Sequence, residues 1–156
     1  MSGQRECVGR KERTFDDKSA DMERDYTELK ARWLAGERDR ELGLRLMFFA
    51  WMHWADPPFV TGLIDDPVAE ELWRDVFAYS GGETSIDAEF LFVSGIMAEL
   101  FPFALGDEKE WSQRGSRMKS RAMNLQPTAF SLSTFDNRGE YGTYFAHQLR
   151  GHVTSS

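Results

Sequence analysis

Leu46-Met47-Phe48-Phe49-Ala50-Trp51-Met52-His53-Trp54 is the stretch whose reading decides the fold. It holds four bulky aromatic rings and no charge, and it ends at Asp56-Pro57-Pro58. The segment begins amphipathic near Asp39, with Leu42 and Leu46, and then becomes apolar all round. A helix without a polar face must be covered on nearly all sides. The segment, roughly 39–55, is therefore expected to be the central helix of the domain, or else to have one flank in a subunit interface. Two prolines stop it, since neither continues the hydrogen-bond ladder and each restricts the residue before it.

Upstream, Met22, Tyr26, Leu29 and Trp33 recur at steps of four, three and four and share one helix face. Ser19 or Asp21 suits its start, and Gly36 suits the left-handed position past its end. The short link to the next helix predicts an antiparallel hairpin. Residues 1–17 are polar without helical spacing and are expected to form a mobile arm. Residues 18–156 are expected to be one domain.

Downstream, Asp66-Pro67 reads as a helix start, with Asp as N-cap and Pro in the first position. Leu72, Trp73, Val76 and Phe77 form that helix's apolar stripe, and Gly81-Gly82 end it. Thr84-x-x-Asp87 resembles a capping box before Phe90, Val93, Ile96, Met97, Leu100 and Phe101. Pro102 and Gly106 close this helix, and Asp107-x-x-Glu110 opens another carrying Trp111, Met118 and Ala122. Phe130, Leu132 and Thr134 alternate like a short strand, and 136–139 reads as a turn. Tyr141, Phe145 and Leu149 then fall at steps of four. For 128–150 the reading is a helix, with a short β-hairpin as the alternative. The class is all-α: one bundle of five or six helices around an apolar central helix.

Composition bounds what such a chain does. It has 156 residues, 41% of them hydrophobic, enough for one domain with a core of its own. Its net charge of −7 argues against a general nucleic-acid or anionic-membrane surface. A lone cysteine, Cys7, excludes an internal disulfide and any Cys-based zinc cluster. No apolar h-region marks the N-terminus and no run spans a membrane, so a cytoplasmic protein is expected. The charge is uneven. Residues 56–110 carry two bases against 13 acids, whereas 111–156 carry six bases against two acids. The two segments either attract each other within the fold or face different partners.

Catalytic patterns are absent. Neither His53, His147 nor His152 follows a Glu at the spacing of di-iron bundles, and Gly-rich phosphate loops are missing. Ser116-x-x-Lys119 matches a nucleophile–lysine spacing without its partner motifs. Sharing a metal with Asp56 is one reading of His53; the plainer reading is a core histidine with both ring nitrogens hydrogen-bonded. The acid pairs Asp65-Asp66, Glu70-Glu71 and Asp87 with Glu89 are explained by caps and the helix dipole. No cofactor is implied.

Two constellations remain. Arg114, Arg117 and Arg121, three and four apart, share a helix face that suits an anionic group. Phe48, Phe49, Trp51 and Trp54, together with Tyr144, suit an interface or a ligand pocket. The expectation is a non-catalytic interaction or regulatory module that uses the aromatic helix to self-associate as a homodimer or to grip a partner protein. The alternative is a domain, or a small enzyme, that binds an anionic small molecule through the arginine face.

Overall fold

A computed structural model describes residues 15–55, 63–125 and 131–155. Among them are seven α-helices, two 3₁₀ turns and no strand. The helices are α1 (Phe15–Leu34), α2 (Arg40–Trp54), α3 (Ala69–Tyr79), α4 (Ala88–Leu100), the single turn α5 (Pro102–Leu105), α6 (Glu108–Leu125) and α7 (Gly139–Ser155). The protein is all-α, and the C-terminal stretch is a helix rather than a hairpin. Leu132–Phe135, expected to be a strand, is a 3₁₀ turn closed by mutual Ser131–Thr134 capping. The alternation there is too short to carry a strand with no partner beside it. Phe130, the Asp56-Pro57-Pro58 stop and the N-terminal arm through residue 14 lie outside the described residues.

Helix α1 begins by Phe15, so Ser19 is a buried residue within it instead of its cap. Met22, Tyr26, Leu29 and Trp33 are all buried, as their spacing requires. Gly36 adopts φ +103°, the left-handed region open to glycine, and the chain turns back. Asp39 then caps α2 by accepting the Leu42 N–H. Glu23 and Tyr26 meet His53 near one end while Trp33 lies beside Gly43 near the other. The α1–α2 pair is therefore antiparallel.

The Asp66 side chain accepts the Val68 N–H, but α3 starts only at Ala69. Asp66 is diverted from capping because its other oxygen takes the Tyr26 hydroxyl and the Lys30 ammonium. The expected capping box at Thr84 is replaced by a 3₁₀ turn, and Asp87 itself caps α4 through the Phe90 N–H. Every residue of α4 from Ala88 to Ala98 is buried. Among the described residues two helices, α2 and α4, are thus buried along most of their length, where periodicity singled out α2. One core joins all the long helices, with Trp51, Trp73, Phe92 and Phe145 inside it.

Helices α4 and α6 touch through glycine. A Cβ on Gly95 would lie 2.8 Å from the Gly115 carbonyl oxygen, and one on Gly115 would lie 2.8 Å from that of Gly95. No larger residue permits this approach of backbones. Lys119 reaches Glu99 at 2.5 Å beside the crossing, which accounts for the lysine of the Ser-x-x-Lys match.

Candidate functional site

Two buried polar clusters stand out, one at each end of α2. The first surrounds Glu89, whose side chain is 5% exposed in the first turn of α4. Tyr141 donates to its Oε2 at 2.5 Å, Arg138 approaches the same oxygen at 2.7 Å, and Arg40 reaches Oε1 at 3.1 Å. Arg40 also grips Asp87 with two nitrogens, at 2.7 and 3.0 Å, and Arg138 also bonds Glu41. Burial would lower the Arg138 guanidinium, but Glu41 and Glu89 outweigh it and hold it above the ordinary arginine range. Burial and the Glu89 carboxylate push the Tyr141 phenol well up. Burial works upward on Asp87 too, and the bonds from Arg40 and the Phe90 N–H outweigh it, leaving that carboxyl below its ordinary range. Both Glu89 oxygens have donors, so the cluster ties the N-termini of α2, α4 and α7 together. That is a structural role.

The second cluster opens to solvent. His53, 3% exposed, stacks on the Tyr26 ring with centroids 4.0 Å apart. Its Nδ1 lies 2.6 Å from the Phe49 carbonyl oxygen and its Nε2 lies 2.6 Å from Glu23 Oε1. Both ring nitrogens are engaged, as the plainer reading of this histidine requires; Asp56 lies outside the described residues. The other Glu23 oxygen accepts the Ile64 N–H. Tyr26 donates to Asp66 at 2.6 Å and Lys30 pairs with the same carboxylate at 2.8 Å. Burial first, and then Asp66, push the Tyr26 phenol above its ordinary value. Burial would raise Asp66, but the bonds from Lys30, Tyr26 and the Val68 N–H outweigh it and lower that carboxyl. Around these groups lies a cleft of about 410 Å³, walled by Ala31, Leu34 and Ile64 and edged by Asp65. Its volume falls within the range of small-ligand sites.

The residues singled out by pattern lie elsewhere. Arg114 and Arg117 share the Glu83 carboxylate at 2.9 and 3.2 Å, and Arg121 donates to the Ser85 carbonyl. The Arg114 guanidinium also stacks 3.8 Å over Trp111. The acidic middle of the chain thus meets its basic face inside one fold, though Arg117 keeps 62% of its side chain in solvent. Phe48, Phe49 and Trp51 are buried; Phe48 packs on Tyr141, Tyr144 and Phe145, and Trp51 on Phe101 and Tyr144. Trp54 and Tyr144 keep partial exposure, but Trp54 faces Trp73 and Tyr144 faces α2. The Trp51 indole N–H has no acceptor among the described residues. Those residues hold no group of three or more His, Cys, Asp or Glu side chains placed to bind a metal, and no helix long and apolar enough to cross a membrane.

The Glu23–His53 pairing lies 30 positions apart in the chain, and periodicity within either helix gives no sign of it. The one available signal was a histidine in an otherwise apolar run, which demands polar partners when buried. Comparison with known proteins adds nothing: no family model, no curated protein and no solved structure matches this chain.

Proposed function

We propose that the protein is a non-catalytic binding module whose site is the cleft between α1 and residues 63–66, and that it holds an organic cation, an amine on an apolar body. The observation that carries this is the cleft's composition. Ile64 and Leu34, 72% and 67% exposed, line it together with three acids, Glu23, Asp65 and Asp66, against Lys30 and the His53 paired with Glu23, which leaves an excess of one acid. Lys30 is already paired with Asp66. Large aliphatic side chains exposed side by side mark binding surfaces, and a net negative lining selects positive charge.

The module class is the one the sequence suggests, moved to another surface. The aromatic rings of α2 serve the core in this fold, so a partner engaging them would have to displace α7. An anion at the arginine face would have to compete with Glu83.

The test is a nuclear magnetic resonance titration with n-butylamine and phenethylamine, against butyrate and phenylacetate, and with a peptide presenting lysine between leucines. The amines should shift the Ala31 and Ile64 amide signals with dissociation constants of about 1 mM or tighter, worth about −4 kcal/mol. Asp65→Asn and Ile64→Ser should each weaken binding. Binding by the free amines points to a small-molecule ligand, and binding by the peptide alone points to a protein partner's side chain. Equal binding of the carboxylates, or binding by neither probe class, overturns the proposal.

A further inference from the structure

We propose that Glu23 and His53 share a single proton, and that this proton latches the Ile64 segment against α1, so that this wall of the cleft is held in place at lower pH and released at higher pH. The inference concerns regulation of the binding cleft and rests on that reading of it.

A carbonyl oxygen only accepts, so His53 Nδ1, 2.6 Å from the Phe49 carbonyl, carries a hydrogen. In a neutral imidazole Nε2 is then an acceptor. Glu23 Oε1, 2.6 Å from it, is also an acceptor when the carboxylate is ionised. Two lone pairs do not meet at that distance inside a protein. A proton lies between them, whether counted as imidazolium with carboxylate or as imidazole with carboxylic acid, and it belongs to the pair rather than to either group.

The same carboxylate has a second task. Its Oε2 accepts the Ile64 N–H, fastening 63–66 to α1. When the shared proton leaves, the facing acceptors must part. His53 is fixed by its Phe49 bond and by the Tyr26 ring, with 1% of its side chain exposed, whereas Glu23 has 23% exposed and can swing outward. Ile64 then loses its acceptor. Among the described residues the neighbouring charges do not supply another donor to the pair. From α1, the Tyr26 hydroxyl and Lys30 both point to Asp66; from 63–66, Asp66 is occupied by them and Asp65 lies on the rim; from α2, the Phe49 carbonyl faces the ring.

The experiment uses the ligand-free protein, so failure of the latch and failure of amine binding are separate results. Hydrogen exchange of the Ile64 amide, corrected for intrinsic rate, is followed from about pH 5 to about pH 9, the range in which histidine pairs commonly titrate. The His53 ring nitrogen and Glu23 carboxyl carbon signals are recorded alongside. Ile64 protection should fall at least tenfold in one step, coincident with the movement of both signals, while the core amide of Ala50 stays protected. Glu23→Gln isolates the proton. Its amide N–H donates to neutral His53 and its carbonyl accepts from Ile64, keeping both bonds with no carboxylate to face the ring nitrogen when the proton leaves. The loss of protection toward high pH should therefore be absent in that variant. A flat wild-type profile overturns the latch, and so does a high-pH loss retained in Glu23→Gln. If that variant does not fold, the wild type still decides: separate steps for the ring, the carboxyl and the Ile64 amide overturn it.

Discussion

Tyr141 donates its phenolic hydrogen at 2.5 Å to Glu89, a carboxylate 52 positions earlier in the chain and buried beneath the N-termini of three helices. The bond joins α7 to α4 at a point where neither polar group reaches bulk water. Tyr141→Phe keeps the ring, with its packing on Phe48 and Phe145, and removes only the donor. The expected loss is about 1–3 kcal/mol, the usual cost of weakening a bond to a buried charged group. Glu89→Ala leaves Arg40 to Asp87 and Arg138 to Glu41 but removes the shared acceptor of Tyr141 and Arg138, and should cost more than Tyr141→Phe, about 3 kcal/mol. Urea unfolding of both variants checks the order; equal losses would show that the carboxylate contributes only through Tyr141.

Glycine substitutions separate space from propensity. Gly95→Ala and Gly115→Ala each place a methyl group 2.8 Å from the opposing carbonyl oxygen and must push α4 and α6 apart. Either should cost about 2 kcal/mol or more, as overpacking does. Gly43→Ala meets Val76 at 3.6 Å, an ordinary contact, within α2. It should be neutral or stabilise by up to about 1 kcal/mol, because alanine loses less freedom than glycine on becoming helical. Thermal midpoints of the three variants, measured side by side, decide the matter. Destabilisation by Gly43→Ala as large as by Gly95→Ala would mean that α2 and α3 pack more tightly than described.

Which of these features could be read from the chain alone follows from the range of the forces involved. Met22, Tyr26, Leu29 and Trp33 reveal their common face because neighbours three and four apart share a surface whatever else the chain does. The caps at Asp39 and Asp87 are equally local, though the second was masked by Thr84 three residues before it. Glu89 was misjudged for the opposite reason. Its place in a first turn satisfies the helix dipole, and nothing nearby announces Arg138 or Tyr141. Glycine at 115 likewise looks like a helix weakness until Gly95 is brought against it. The cleft depends on contacts between α1 and 63–66, which no periodicity encodes. Segmental charge did announce one long-range pairing, that of Glu83 with Arg114 and Arg117.

Acid should destabilise the fold through Asp66 and Asp87. Each is held below its ordinary range in the folded chain: burial alone would raise it, but its hydrogen bonds outweigh that. Protons therefore bind the unfolded chain more readily. The stabilisation is complete above the unfolded value of about 3.9 and is lost as pH falls through the lower folded values. Thermal midpoints between pH 6 and about pH 2.5 should drop. Asp87→Asn should start from a lower midpoint at neutral pH and show a shallower acid decline. An unchanged acid slope in that variant would remove Asp87 from the account.

Alkali acts on the two buried tyrosines with the opposite sign. Tyr26 and Tyr141 both have folded values raised by burial and by the carboxylates they face, so the folded chain retains their protons longer than the unfolded chain does. Their stabilisation is complete below the unfolded value of about 10 and is lost as pH rises beyond it toward the folded values. The phenolate absorbance of these two residues should therefore appear only as the protein unfolds, together with the loss of helical circular dichroism. Tyr141→Phe should reduce the alkaline loss of stability while leaving the part due to Tyr26. Ionisation of both phenols ahead of any loss of helix would mean that Asp66 and Glu89 do not hold those hydroxyls in the folded protein.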